Sequence, residues 1–192
     1  LIQGPINRFD ALATQLYEPH RFDIYNVRRA FLLIGYGIFK KYAIADVLVG
    51  SVSSALDSID ASTPGSIIVY GIFLYAIYQY ADFSGGIDMV RGVSQLFGIK
   101  MAENFRQPYF SISIADFWHR WHITLGAWMR DYVFYPMALR PSMKALTAWA
   151  TAHISKHVGR TIAGCLANIV VFFLVGLWHG AEMHYIFWGL YN

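Results

Sequence analysis

His179 stands where the uninterrupted apolar run Ile169–Trp178 ends, in "LWHG", before apolar residues resume at Met183. An imidazole at the edge of such a run costs free energy unless a partner satisfies it. Two readings follow from position alone. In the plainer one, a helix-end histidine hydrogen-bonds a neighbouring carbonyl. In the other it marks a site, because ionisable groups inside a membrane segment are functional by default. A neutral imidazole there is suited to take a proton from a hydroxyl as a general base, and Gly180 beside it lets a substrate come close to the backbone. His122, in "FWHRWHITL", is the second candidate; it follows Trp121 and lies three residues after His119. Its plainer reading is the wet side of an amphipathic helix, on which Asp116 and Arg120 form an i,i+4 ion pair.

The histidines also invite a metal reading. His119/His122 and His153/His157 have spacings that share a helical face, and His179/His184 follow. Zinc and iron sites use such pairs but recruit further ligands. No carboxylate lies close to His153/His157 in sequence, so no metal is expected. Asp82, Asp88, Glu103 and Asp131 read as ion-pair partners of Arg91, Arg106 or Arg130 rather than a catalytic carboxylate pair. The chain has no GxSxG elbow, no P-loop and no GxGxxG, so those classes lack support.

The elements that must position these groups are helical and largely apolar. Residues 1–29 are mixed and polar and end in Arg28-Arg29, which predicts a connector. Residues 30–56 read as a membrane helix whose Lys40, Lys41 and Asp46 either sit near an interface or separate two shorter helices, since about 20 residues are needed to span. Residues 61–81 carry no charge and are the clearest span; residues 161–181 are the second. Between them, residues 82–140 mix acids, bases and aromatics, and the pattern predicts cavity-lining or interfacial helices. Ile114, Trp118, Trp121, Leu125 and Trp128 recur at three- and four-residue steps, the pattern of one amphipathic helix. Gly85-Gly86 permits a close backbone approach. Arg140, Lys144, Lys156 and Arg160 place residues 141–160 on the cytoplasmic side as a connector. Residues 183–192 begin another helix.

Composition agrees with a lipid environment. Of 192 residues 56% are hydrophobic, 17% aromatic and 14% charged, against about 25% charged in soluble domains. A net charge of +3 without a dense basic cluster gives no support for a nucleic-acid partner. The single Cys165 excludes an intrachain disulfide framework. The chain begins at Leu1 with no signal-peptide pattern and stops directly after an apolar stretch, so it is expected to be an internal piece of a longer protein, inactive by itself.

Three blocks, "YADFSGGIDMVRGVSQLFGIKMAENFRQPY", "FWHRWHITLGAWMRDYVFYP" and "GLWHGAEMHYIFWGLYN", together resemble the membrane-bound O-acyltransferase superfamily, in its bacterial alginate O-acetyltransferase and D-alanyl teichoic acid transferase branch. "FLLIGYGIFKKYAIADVLVG" extends the likeness toward residue 30. The resemblance implies an all-α polytopic protein of the bacterial cytoplasmic membrane, a ring of transmembrane helices around a central tunnel. It implies His179 as the catalytic histidine and His122 as the second recurrent one. Trp118, Trp121 and Trp178 would then wall the tunnel, Arg120 and Arg130 would attract a phosphate-bearing donor, and Asn104 and Asp131 would support the histidines. It further implies an acyl thioester donor, acetyl-CoA or a phosphopantetheinyl carrier, with no bound cofactor. The acyl group, acetyl by expectation, would go to a polysaccharide or cell-wall polymer through an accessory extracytoplasmic partner. His119 and Gly86 depart from the family's usual residues, and "YPMALRPSMKAL" replaces a Gly-Gly-Asn-Arg loop of many alginate-type members, which leaves the acceptor open. A non-catalytic glycan or lipid transporter with proton-relaying histidines is the alternative.

Overall fold

The computed structural model describes residues 4–57 and 59–192, which fall into two compact units, one ending at Thr124 and the other starting at Leu125. The described residues form helices and their connectors, with no strand beyond one isolated antiparallel bridge between Phe105 and Trp121. In the first unit, α1 (Phe9–Tyr17) precedes α2 (Ile24–Ile38), which Asp23 caps by accepting from Tyr25 N–H at 2.9 Å. A π-helical stretch, Phe39–Ala45, carries the chain without a break into α3 (Asp46–Leu56). Asp60 then organises a turn, accepting from Ser62 N–H at 2.8 Å and Thr63 Oγ1 at 3.1 Å, and Pro64 leads into α4 (Gly65–Leu96).

α2 and α4 lie antiparallel and unusually close because small residues face each other. A methyl added at Gly85 would sit 2.8 Å from the Gly37 carbonyl oxygen; one at Gly92 would sit 2.9 Å from that of Ala30. Ala30, Ala45 and Ala81 are buried along the same seam. Small residues permit such backbone proximity, the packing mode that replaces hydrophobic drive where lipid is the solvent. The seam also holds charge. Lys40 is 5% exposed, bonded through Nζ to Asp88 Oδ2 at 2.5 Å and Ser84 Oγ at 2.9 Å, and Lys41 pairs with Asp82 and, at 3.1 Å, with Asp46. Arg91 bridges Asp88 at 3.4 Å and Glu103 at 3.5 Å.

After α4 the chain turns through Gly98, passes a single 3-10 turn at Pro108–Phe110, and forms α5 (Ile114–Arg120) and α6 (Ile123–Met129), the latter crossing the boundary between units. The second unit continues through a π-helical turn, Arg130–Phe134, into α7 (Tyr135–Ala138) and α8 (Pro141–His153). α9 (Lys156–His179) is capped by Ser155 accepting from Val158 N–H at 3.1 Å, and α10 (Met183–Tyr191) folds back on it. Gly176 and Gly189 mark that contact: a methyl at Gly189 would meet the Phe172 carbonyl oxygen at 2.5 Å.

Several expectations change. The helix expected to end at residue 81 runs on to Leu96, because Asp82 and Asp88 find Lys41 and Lys40 across the seam and so have no need of water. Asp82 therefore pairs with a lysine rather than an arginine. Lys40 and Lys41 do not divide two helices; they sit inside the π-helical stretch. The amphipathic pattern over 114–128 is broken at Trp121-His122, where His122 takes φ +46°. Residues 141–160, expected to be a connector, are mostly helical, with a break at Ile154-Ser155 that removes His153 and His157 from one helical face. Among the described residues no three His, Cys, Asp or Glu side chains converge.

α4 and α9 are long and apolar enough to cross a membrane, with 18-residue windows of mean hydropathy 1.2 and 2.2. Only 17% of each window is buried within the chain. An apolar surface that large needs lipid or further protein against it.

Gly85→Leu forces the helices apart and lowers stability by about 3 kcal/mol or more, while Gly86→Ala, with nothing within 4 Å of its added methyl, raises helix stability by roughly 0.5–1 kcal/mol. Thermal unfolding of the detergent-extracted protein distinguishes them. Asp88→Ala strands the Lys40 ammonium and costs about 3–5 kcal/mol. The double change Lys40→Met with Asp88→Leu recovers most of that loss in the same assay.

Candidate active-site histidines

The first candidate site is built around Asn104, whose side chain is fully buried. Its Oδ1 accepts from Thr124 N–H at 3.1 Å and from Thr124 Oγ1 at 2.8 Å, and lies 3.2 Å from His122 Nδ1. A backbone N–H only donates, so the contact from Thr124 fixes which end of the Asn104 amide is oxygen. That oxygen then requires a proton on His122 Nδ1, which leaves the lone pair of the neutral ring on Nε2. Asn104 also accepts at its backbone carbonyl from Ile123 N–H at 3.0 Å, and Thr124 Oγ1 accepts in turn from Ile6 N–H at 2.9 Å. Gly4, at φ +100°, leaves room for this arrangement: a methyl there would lie 2.8 Å from Asn104 Nδ2. That Nδ2 is buried and has no acceptor among the described residues.

Rings enclose His122 on the other sides. Phe83 approaches it edge-on at 4.9 Å between centroids, and Phe105 lies at 6.5 Å. Trp121 packs against Phe105 at 5.0 Å and stacks on Phe117 at 5.7 Å, with Tyr80 and Tyr109 completing the cluster. Tyr109 donates to the Ala76 carbonyl at 2.6 Å, and partial burial beside Tyr80 pushes its phenol up to about 12. His122 is 5% exposed at a left-handed φ of +46°. Backbone strain of this kind costs on the order of 1–3 kcal/mol and persists only where the surroundings enforce it.

The structure gives the remaining expected residues of this unit mixed positions. Trp121 belongs to the ring cluster. Trp118 packs edge-on against Phe117 at 5.2 Å. Arg120 is bonded through Nε to Asp116 at 2.9 Å, and that guanidinium, with the Ile112 N–H, holds the Asp116 carboxyl below its usual range. The expected i,i+4 pair is therefore present, and Arg120 is committed to it.

In the second unit, His179 is the last residue of α9 and is exposed on the chain as described. Trp178 lies edge-on to it at 5.2 Å, Trp188 at 5.7 Å, and Tyr185 stacks at 6.1 Å. Gly180 beside it leaves space that Tyr185 fills: a methyl there would meet that ring at 2.8 Å. An aromatic collar, rather than a buried polar cradle, surrounds this imidazole. Arg130 and Asp131 pair with each other at 2.9 Å on the π-helical turn, both partly exposed.

Thr124, Phe83, Phe105 and Gly4 were not foreseen as site residues. Thr124 follows His122 by two residues, a separation at which a hydroxyl and an imidazole can share one acceptor once the backbone breaks. The sequence carries no sign of that break, because positive φ at a histidine has no compositional marker.

Comparison with known proteins adds what geometry alone does not. The model of the MBOAT, membrane-bound O-acyltransferase, family matches residues 1–151, a span that includes Asn104 and His122 and stops before His179. A probable alginate O-acetylase of Pseudomonas syringae pv. tomato is 34% identical over all of this chain, which covers 33% of that protein. The peptidoglycan O-acetyltransferase of Helicobacter pylori is 31% identical over 99% of the chain and 33% of its own length. A teichoic acid D-alanyltransferase of Bacillus subtilis is 37% identical over 62% of the chain and 27% of its own length. The chain thus spans about a third of the length of these relatives, and the first two alignments reach across His179 as well. With the family model covering more than three quarters of its residues, this chain belongs to the membrane-bound O-acyltransferase family.

Proposed function

We propose that this chain carries the histidine-bearing part of a bacterial membrane acyltransferase that moves an acyl group, acetyl by preference, from a cytoplasmic thioester toward hydroxyls of a cell-surface polymer. The observation that carries this reading is the Asn104–His122–Thr124 cradle within the family-matched residues. A buried amide held by three donors fixes one tautomer of one imidazole at a strained φ. The named relatives support the reaction class: two act as O-acetyl-transferring enzymes and one as a D-alanyltransferase, on different polymers.

In this reading the acceptor hydroxyl oxygen attacks the thioester carbonyl while His179 takes the hydroxyl proton. The C–S bond breaks as the new C–O bond forms, and the proton passes on to the departing thiolate. Tyr185 stacks on the imidazole and Trp178 and Trp188 stand edge-on to it, which orients the ring plane. His122 positions rather than attacks: with Nδ1 committed to Asn104, its Nε2 is an acceptor aimed by the cradle. Acetyl-CoA or a phosphopantetheinyl carrier is the donor class, and an accessory extracytoplasmic enzyme completes delivery. The chain sits in the bacterial cytoplasmic membrane as part of a multi-pass ring. Arg120 and Arg130 each already hold a carboxylate, Asp116 and Asp131, both at 2.9 Å, so either one attracts donor phosphate only by sharing its guanidinium with that partner.

The test is made on the protein expressed from its own gene in its host. At matched membrane levels, His179→Ala lowers ester-linked acyl groups on surface polymer by about 10²–10⁴-fold, the usual contribution of a positioned base, while polymer export continues. Unchanged acylation overturns the assignment, and loss of export with intact transferase activity supports a transporter instead. Asn104→Ala, which frees the His122 ring but leaves His179 untouched, lowers acylation less, by about tenfold, and is read by the same quantification.

A further inference from the structure

A second feature of the first unit lies at the far end of the α2–α4 seam and is not used by the histidines. Here α2, the last turns of α4 and the segment after Gly98 enclose an open pocket of about 710 Å³. Arg29, Arg91 and Lys100 supply three cations to its lining, against the single carboxylate of Glu103. Arg91 makes only long contacts to Asp88 and Glu103, at 3.4 and 3.5 Å, and its buried Nε has no acceptor among the described residues. No ion pair involves Arg29 or Lys100 among the described residues. The opposite part of the lining is apolar: Leu32, Leu33 and the ring of Tyr36.

The frame of the pocket is fixed by polar bonds that leave its cations out. Asn26 and Gln95 clasp α2 to α4 through two bonds of 2.9 Å. Gln15 holds the backbone of Lys100, accepting from its N–H at 2.7 Å and donating to its carbonyl at 3.2 Å. Ser94 Oγ lies 3.1 Å from Met101 Sδ. A lysine anchored by its backbone alone keeps its ammonium for something else.

We infer that this pocket binds the phosphate of an anionic amphiphile, with the cations on the phosphate oxygens and the acyl chain along Leu32, Leu33 and Tyr36. Guanidinium and ammonium groups beside an apolar wall match a phosphodiester that carries a chain better than a free ion. The position of the pocket favours a lipid as the source. α4 has 32 residues, so it is about 48 Å long against about 30 Å of hydrocarbon. Its charge-free part is at the Gly65 end, so the Arg91 end is the one that reaches the headgroup layer. Basic pockets at that level recognise anionic lipid heads.

The experiment uses the protein expressed from its own gene and extracted in a neutral detergent. Its thermal midpoint is followed on adding short-chain phosphatidylglycerol, short-chain phosphatidylcholine or inorganic phosphate. Phosphatidylglycerol is expected to raise the midpoint saturably, and phosphatidylcholine to leave it unmoved. Arg29→Gln with Lys100→Gln, both exposed, removes two cations and weakens phosphatidylglycerol binding by roughly thirty-fold, about fivefold per charge. Arg140→Gln with Lys144→Gln removes the same charge elsewhere and leaves binding as it was. Equal weakening by both double variants, or none by the first, overturns the site. A saturable shift by inorganic phosphate alone that the first double variant abolishes overturns the lipid and assigns a free phosphate instead. Acylation is not the readout, so failure here is distinguishable from failure of the transferase reading.

Discussion

The local structure around His122 depends on one buried amide oxygen. Asn104 Oδ1 receives a backbone N–H, a hydroxyl and an imidazole, and through them ties Thr124 and His122 to a segment some twenty residues earlier. Such a group is stable in a buried site only when its capacity is filled. Filling it has a geometric consequence: Ile123 and Thr124 must turn back toward Asn104, and the chain meets that demand by placing His122 in the left-handed region. The helix predicted to run through 114–128 breaks for this reason. The Phe105–Trp121 bridge and the Arg106 N–H to Arg120 carbonyl bond of 2.9 Å hold the two segments together beside the break.

A different economy governs α2 and α4. Their approach is set by glycines and alanines, and the close backbones bury Lys40 almost wholly and leave Asp88 little exposed. The ion pair is therefore satisfied internally, by Ser84 and by the face of Tyr36, over which the Lys40 ammonium lies at 4.7 Å. A buried pair of this type is weak evidence for net stability but strong evidence for register, because a shift of one helix along the other strands both charges.

Much of this architecture was legible in the residues. Charge-free stretches marked most of α4 and α9, Asp116 with Arg120 gave their own pairing by spacing, and Glu103 was legible as an ion-pair partner of one of three arginines, of which it meets Arg91 and Arg106. What escaped were contacts between residues far apart in sequence. Asp82 and Asp88 looked like the start of a polar region because their lysine partners lie more than forty residues earlier. Asn104 was legible as a candidate support, yet Thr124 and the ring cage of Phe83 and Phe105 were not, since packing identifies them and periodicity does not. The histidine pairs suggested shared helical faces that local breaks at Trp121 and Ile154 remove. The aromatic collar of His179 was half visible, through Trp178 alone.

The π-helical stretch at Phe39–Ala45 carries a further meaning. A π turn holds about one residue more than the α-helical turn it replaces, and here the helix absorbs that residue without breaking. Lys40 and Lys41 lie within it, and by widening the turn it lets neighbouring residues reach acids six positions apart on α4. Restoring a regular turn by removing one residue would rotate everything after it, α3 included, about the helix axis. The length of this segment is thus tied to the placement of charge on the facing helix: a one-residue deletion here takes Lys40 and Lys41 out of register with Asp88 and Asp82.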